Sequence, residues 1–163
     1  MRQILELLER DARLSPETIA TMTGLPVEQV GAAIAEWEAS GTIRRYKAVV
    51  DWDAVAEEAD GEAVTAFIDV SVAPARSVGF DDVAVRIARF DEVRSVYLVS
   101  GTQDLRCTVT GRSMRAVSDF VSQKLSTIDR VQSTATHFVL KTYKRDGDVF
   151  VEPDPDHRLP VTP

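Results

Sequence analysis

The sequence has little cysteine and no long apolar run. Cys107 is the one cysteine among 163 residues, which excludes an intramolecular disulfide framework and a cysteine-rich zinc site. No stretch approaches the roughly 20 apolar residues that a membrane-spanning helix needs. The first residues turn acidic at Glu6 before an apolar run develops, so we expect no signal peptide. These absences predict a reduced, cytoplasmic protein that does not enter a membrane.

Patterns that carry catalysis are also missing. The chain has no glycine-rich phosphate loop, no Ser/His/Asp arrangement and no pair of carboxylates in a pocket-forming pattern. Its two histidines are His137, in a predicted strand, and His157, near the C-terminus, and no further metal ligand has suitable spacing. Cys107 alternates with Leu105 and Val109, which predicts a core residue. We therefore expect a protein that is not an enzyme and holds neither metal nor cofactor.

Basic residues are fewer than acidic residues. The chain has 19 Lys and Arg against 26 Asp and Glu, for a net charge of −7. Such a protein does not attract nucleic acid over its whole surface. It can still carry a small basic contact surface, and it would then need several copies or a focused patch to hold DNA.

Three short helical patterns open the chain. They cover residues 4–8, 15–24 and 26–41. Ser15 and Pro16 suit the start of the second helix, as an N-cap and a first helical residue. Gly24 lies in the short link to the third helix, which is typical of a helix-turn-helix. The segment 43–50 is predicted to be a strand, and this would make the motif winged.

A change in composition marks the domain boundaries. Six carboxylates crowd residues 51–62, and we place a connector there. The first domain is then residues 1–50 and the second is residues 63–143. Four of the seven prolines fall in the last eleven residues, so residues 144–163 are predicted to be a flexible, proline-rich and acidic tail.

The second domain reads as strand, helix, strand, strand, helix, strand. Strands are predicted at 64–72, 95–100, 104–110 and 132–142, and helices at 80–88 and after Ser113. This order predicts an α+β, ferredoxin-like βαββαβ fold, with a four-stranded antiparallel sheet and two helices on one face. Phe67, Tyr97 and Val99 fall on the other, uncovered face. Uncovered apolar residues of this kind favour a second copy as partner, so we expect a homodimer or a higher homo-oligomer.

A series of short motifs in fixed order carries a family resemblance. The motifs are Asp11–Pro16, Ile19–Ala20, Thr23–Leu25, Gly41–Ile43 with Tyr46, Val93–Tyr97, Ser100–Gly101 with Asp104, and Ser133–Leu140. In this order and spacing the chain resembles the leucine-responsive and asparagine-responsive (Lrp/AsnC) family of transcription regulators. The resemblance implies a winged helix-turn-helix that binds double-stranded DNA and a RAM-type second domain that forms dimers and larger assemblies. It also implies a small effector, often an amino acid, bound where dimers meet.

The predicted third helix departs from the family pattern. Such a helix normally enters the major groove and carries basic or amide side chains. Here the segment 26–40 has no Lys or Arg and contains three glutamates. Gln29 is the side chain there that could read a base edge, with a preference for adenine. The nearest cations follow the helix at Arg44, Arg45 and Lys47, where contact with phosphates competes with pairing to the acidic connector.

The effector site implied by the resemblance lies at the turn after the second strand and on the last strand. Its candidate residues are Gly101, Gln103, Asp104, Thr134 and Thr136. Where the family often has Gly-x-Tyr-Asp, this chain has a glutamine in place of the aromatic residue. Asp104 would meet an α-ammonium group. The alternatives are that the glycine and aspartate serve the hairpin turn and that the threonines serve strand formation.

Two functions remain open at this point, beside a small enzyme, which only the versatility of the ferredoxin-like fold favours. The first is a sequence-specific, DNA-binding transcription regulator controlled by a small effector through its oligomeric state. The second is an effector-sensing or assembly protein with weak or lost DNA binding, which the acidic third helix favours.

Overall fold

The computed structural model of the chain divides into two structural units, Met1–Val50 and Asp51–Pro163. The structure describes residues 1–52, 54, 64–73 and 79–151. Most of the predicted connector at 51–62 and the predicted tail beyond residue 151 therefore lie outside the described residues. Within the described ranges, no helix has the length and apolar character needed to cross a membrane.

The first unit contains the three predicted helices. They are α1 (Arg2–Arg10), α2 (Pro16–Thr23) and α3 (Val27–Ser40). The hydroxyl of Ser15 caps α2 by accepting a hydrogen bond from the Thr18 N–H at 3.2 Å. Gly24 and Gly41 end α2 and α3 with φ of +72°, which is costly for residues with a Cβ. The serine and the two glycines therefore mark the helix ends as the sequence predicts.

Apolar residues from all three helices form the core of this unit. Ile4, Ile19 and Val30 are fully buried, and Trp37 and Ile43 pack against them. The Ile43 N–H also donates to the Trp37 carbonyl oxygen at 3.0 Å. The chain after α3 is thereby attached to that helix.

The strand predicted at residues 43–50 is wrong for the described chain. These residues belong to no helix or strand of the described chain. A strand requires a hydrogen-bonded neighbour along its length, and this segment belongs to neither of the described sheets. Instead, the Tyr46 hydroxyl donates to Glu38 Oε1 of α3 at 2.8 Å.

The second unit is the predicted α+β, ferredoxin-like fold. Its elements are β1 (Val64–Val72), α4 (Asp81–Ile87), β2 (Val93–Leu98), β3 (Leu105–Gly111), α5 (Met114–Phe120), a π-helical segment (Val121–Leu125) and β4 (Val131–Phe138). The four strands form an antiparallel sheet in the order β2-β3-β1-β4. Ser113 caps α5 by accepting the Ala116 N–H at 3.1 Å.

Alternation along β1 separates the two faces of the sheet. Ala66, Ile68 and Val70 are fully buried together with residues of α4 and α5. Cys107 lies opposite Ile68 on the same face, and burial raises the pKa of its thiol to about 11. On the other face, which we call the open face, Phe67 and Tyr97 are 43% and 59% exposed. The described chain offers no element to cover them, as predicted.

A hairpin replaces part of the predicted flexible tail. Strands β5 (Lys144–Arg145) and β6 (Asp148–Val149) pair antiparallel. Asp146 and Gly147 between them have φ of +53° and +99°, and an Asp-Gly pair favours the turn that joins two such strands. The Arg145 guanidinium also lies 4.5 Å from the centre of the Phe150 ring. The sequence interpretation overlooked this turn because proline and acidic residues dominate the surrounding composition.

Two glycines are expected to respond oppositely to alanine substitution. In the described chain, a Cβ at Gly31 of α3 would meet nothing within 4 Å. Gly31→Ala should therefore stabilise the first unit by about 0.5–1 kcal/mol, because alanine favours the helix. A Cβ at Gly111 would lie 3.0 Å from Val117 Cγ2, and Val117 is 1% exposed. Gly111→Ala should destabilise the second unit by about 1–3 kcal/mol through overpacking.

Urea unfolding of the two variants and the wild type measures both effects. A loss of stability in Gly31→Ala would show that the open space around this position is not available to a methyl group. Unchanged stability in Gly111→Ala would show that the Val117 contact yields without cost.

Candidate DNA-binding and effector sites

The exposed face of α3 presents one amide among small and acidic side chains. Gln29 is exposed near the start of the helix, while Val30 and Ala33 face the core. Ala32 and Ala35 are exposed on the same helix. Small side chains allow the helix backbone to approach another surface closely. The helix can therefore present Gln29 to a groove, although Glu28 and Glu36 remain exposed beside it.

The three cations predicted to contact DNA lie at the opposite end of α3 from Gln29. Arg44, Arg45 and Lys47 are all exposed. A Cβ placed on Gly41 would lie 3.7 Å from Arg44 Nη1, so this guanidinium lies near the negative end of the helix dipole. About 16 Å of helix axis separates residue 29 from the end of α3. The structure therefore does not bring the four candidate DNA-binding residues into one cluster.

The contact between Tyr46 and Glu38 occupies one of the helix carboxylates. Burial, together with the hydrogen bond to Glu38, raises the pKa of Tyr46. The tyrosine thus remains a donor over the physiological pH range. This contact fixes the segment that carries Arg45 and Lys47 beside the helix.

Hydrogen bonds fix the turn between β2 and β3 to the end of β1. The Val72 N–H donates to Asp104 Oδ2 at 2.8 Å. The Asp104 N–H donates to the Val70 carbonyl oxygen at 3.2 Å, and the Val99 N–H donates to the Asp104 carbonyl oxygen at 2.9 Å. Gly101 supplies a φ of +148°. Asp104 therefore has a structural role in the hairpin, whatever else it binds.

Gln103 carries the unsatisfied polar atom of this turn. Its Oε1 is buried and has no hydrogen-bond partner in the part of the chain that the structure describes. A buried acceptor without a donor costs about 1–3 kcal/mol. The sequence interpretation treated Gln103 only as a departure from the family pattern. The burial of this oxygen depends on the folded turn, and the amino-acid sequence alone does not show it.

The register of β4 separates the two candidate threonines. Thr134 lies opposite Val70 and Thr136 lies opposite Ile68, so both belong to the sheet face that the helices cover. Val70 also lies opposite Leu105, the residue after Asp104. Thr134 is therefore at the level of the turn, while Thr136 is about 7 Å farther along the strand. The structure associates the first threonine more closely with Gly101, Gln103 and Asp104.

The open face carries a charged cluster that was not predicted from the sequence. Asp69 is 8% exposed and accepts hydrogen bonds from Arg106 Nε at 2.6 Å and Nη2 at 2.9 Å. His137 Nε2 lies 3.7 Å from Asp69 Oδ2. The bonds from Arg106 lower the pKa of Asp69. The pair therefore stabilises the sheet at neutral pH, and this contribution is lost as the pH falls through the lowered pKa.

Comparisons with known proteins agree with the architecture. The family model for the Lrp/AsnC ligand binding domain matches residues 65–149. The chain is 52% identical to YugG of Bacillus subtilis, an uncharacterized HTH-type transcriptional regulator, over 162 residues that cover 99% of this chain and 95% of that protein.

Solved structures extend this likeness to the three-dimensional fold. The feast or famine regulatory protein of Mycobacterium tuberculosis, complexed with L-methionine, is 28% identical with a TM-score of 0.68, covering 89% of this chain and 92% of that one. A transcriptional regulator of Neisseria meningitidis in complex with L-Met is 26% identical with a TM-score of 0.68, covering 93% and 92%. With its helix-turn-helix and ferredoxin-like units, the chain belongs to the Lrp/AsnC family of HTH-type transcription regulators.

Proposed function

We propose that this cytoplasmic regulator binds double-stranded DNA through α3 and the segment after it, under the control of an amino acid bound at the β2–β3 turn. The observation that carries the effector assignment is the buried, unsatisfied Oε1 of Gln103, in the residue that precedes Asp104. The proposed control acts through the assembly of several copies. The spacing of DNA-binding units must match the turns of the double helix, so a change in assembly changes DNA affinity.

The charge distribution supports a contact between the first unit and DNA. The first 50 residues hold six cations and seven carboxylates, so most of the chain's net negative charge lies beyond them. Gln29 can donate to and accept from an adenine edge, and the exposed alanines of α3 can contact thymine methyl groups. Arg44, Arg45 and Lys47 would contact phosphates.

A regulator without strong DNA binding is the second candidate function. Glu28 and Glu36 are exposed on α3, and carboxylates near phosphates repel them. In this case the second unit would still bind its effector and assemble. The salt dependence of DNA binding separates the two functions, because only phosphate contacts release counterions.

Removing the two arginines after α3 is expected to weaken DNA binding at every sequence. In Arg44→Ala/Arg45→Ala, the slope of log affinity against log salt should become shallower by about 1 for each lost phosphate contact. Electrophoretic mobility shift or fluorescence anisotropy with the protein's own upstream DNA measures the affinity and its salt slope. Arg115→Ala is the control, since this side chain is 91% exposed on α5 of the other unit. Equal affinity and slope in wild type and double variant would contradict the assignment.

The chemistry of the β2–β3 turn suits an α-ammonium group. An ammonium group has three N–H donors, and the buried amide oxygen of Gln103 lacks a donor among the described residues. Asp104 uses Oδ2 for the Val72 N–H, which leaves Oδ1 as an acceptor. The hydroxyl of Thr134 at the same level of the sheet can bond a ligand carboxylate. The L-methionine found in two structural relatives supports this class of ligand.

Gln103→Met is expected to separate effector binding from folding. It removes a buried unsatisfied oxygen at similar volume, so stability should stay the same or rise. Amino-acid affinity should fall by about 1.5–3 kcal/mol if the neutral amide oxygen holds the ammonium group. Asp104→Ala should lose affinity as well, but it should also lower the Tm, because the Val72 N–H loses its acceptor.

Calorimetric titration of a panel of amino acids into the wild type and these variants measures the change in amino-acid affinity. Thr136→Val is the matched control, and it should retain binding because its position is farther from the turn. Undiminished affinity in Gln103→Met would contradict the site. If wild type binds no member of the panel, the effector class is wrong.

Assembly is proposed to occur through the open face, with a second copy of the same face as partner. Phe67 and Tyr97 on this face are exposed in the single chain, around the ion pair of Asp69 and Arg106. Phe67→Lys should place an unpaired cation in the contact and shift the sedimenting species toward the 18.0 kDa monomer. Leu140→Lys, at a position 88% exposed elsewhere in the unit, is the control. Unchanged sedimentation of Phe67→Lys would exclude this face.

A further inference from the structure

Three neighbouring strands contribute to the charged cluster on the open face. Asp69 on β1 accepts two hydrogen bonds from Arg106 on β3, at Oδ1 from Nε and at Oδ2 from Nη2. His137 on β4 lies opposite Phe67 in the sheet register, and its Nε2 is 3.7 Å from Asp69 Oδ2. The register therefore places an imidazole beside an ion pair, on the surface that is proposed for assembly.

The ion pair already balances the charge of Asp69. The oxygen nearest to His137 is the one that accepts Arg106 Nη2 at 2.9 Å, and the 3.7 Å separation from the imidazole exceeds hydrogen-bond distance. The bonds from Arg106 lower the pKa of Asp69, so this carboxylate stays ionised at pH 6. The cluster is therefore neutral when the imidazole is neutral, and it carries one net positive charge when the imidazole is protonated.

The other charged groups that the structure describes near this face are cations. Arg94 on β2 donates from Nε to Thr110 Oγ1 at 2.8 Å, and the register of β3 places Thr110 on the open face. Tyr97 on β2 is a phenol, which is uncharged near pH 7, and the next charged residue after β4 is Lys141. Among the described residues of the four strands, Asp69 is the only carboxylate. These strands therefore offer no second acid to balance a protonated imidazole.

Association of two open faces would remove water from the imidazole. In the single chain the His137 side chain is 62% exposed, so water solvates its protonated form. A symmetric contact between two copies of one face brings the same residues, and hence the same charge, from both sides. Loss of water and the like charge across the contact both disfavour the protonated imidazole. Proton binding and assembly therefore oppose each other.

We propose that His137 makes assembly through the open face sensitive to pH, with the neutral imidazole favouring the assembled protein and the protonated imidazole favouring dissociation. The inference rests on the assembly proposed above. Histidine is the side chain that ordinarily changes its charge between about pH 5 and 8. Because the separated chains bind more protons than the assembled ones, assembly weakens as the pH falls through this range. The competing account is that His137 stays solvated in the assembled protein, and it predicts no effect of pH.

Sedimentation velocity of the full-length protein at pH 6, 7 and 8, at one ionic strength, measures the dissociation constant of the assembly. It should be at least about tenfold larger at pH 6 than at pH 8, because a difference of one pKa unit between the free and assembled imidazole changes affinity tenfold. His137→Gln should remain assembled at both pH values, and His137→Lys, which is charged throughout, should be weakened at both. His157→Gln is the matched control, since it replaces the chain's other histidine, and it should keep the wild-type response. Circular dichroism shows whether each variant is folded at each pH.

The outcomes distinguish the pH response from the assembly itself. An equal dissociation constant for the wild type at pH 6 and 8, or a pH response that persists in His137→Gln, would overturn the inference and leave assembly through the open face intact. Tighter assembly at pH 6 would overturn it as well, because it would show that the contact stabilises the protonated imidazole. A wild type that sediments as a monomer at pH 8 would refute the proposed assembly, and the inference with it.

Discussion

The alternation of side chains along β1 is the constraint on which both faces of the second unit depend. Residues at even positions from Ala66 to Val72 build the core with α4 and α5. Residues at odd positions place Phe67 and Asp69 on the open face. A shift of register by one residue would exchange these two sets. The same strand also anchors the turn of the candidate effector site, because Val72 donates to the Asp104 carboxylate.

In the proposed function, this arrangement would couple the effector site to assembly over a short distance. The turn that holds Gln103 is bonded to β1 through Val70 and Val72, and β1 contributes Phe67 and Asp69 to the open face. A ligand that orders the turn can therefore act on a strand whose other side forms the proposed dimer contact. In the proposed function, the first unit recognises DNA through α3, which carries three glutamates and no cation, so several weak contacts would have to act together. Assembly would then be a requirement of the proposed regulation.

Features determined by local residue patterns could be predicted from the sequence. The caps at Ser15 and Ser113, and the alternating apolar residues of β1, each depend on residues close in the chain. Features that depend on long-range register were missed. Asp69 is a lone acid in an apolar strand until pairing brings Arg106 beside it. The burial of the Gln103 Oε1 likewise arises only in the folded chain. The hairpin at Asp146-Gly147 was missed although its turn signal is local.

Hydrogen–deuterium exchange of the full-length protein, with and without the tightest-binding amino acid of the panel, tests whether the ligand binds the β2–β3 turn and acts on β1. We expect slower exchange in the turn from Val99 to Leu105 and at the Val72 amide, because a ligand on Gln103 and Asp104 would order both. Protection should extend along β1 toward the open face if the turn and assembly are coupled. Unchanged exchange in the turn and at Val72 under saturating ligand would rule out a ligand at the β2–β3 turn, as would protection confined to α4 and the π-helical segment.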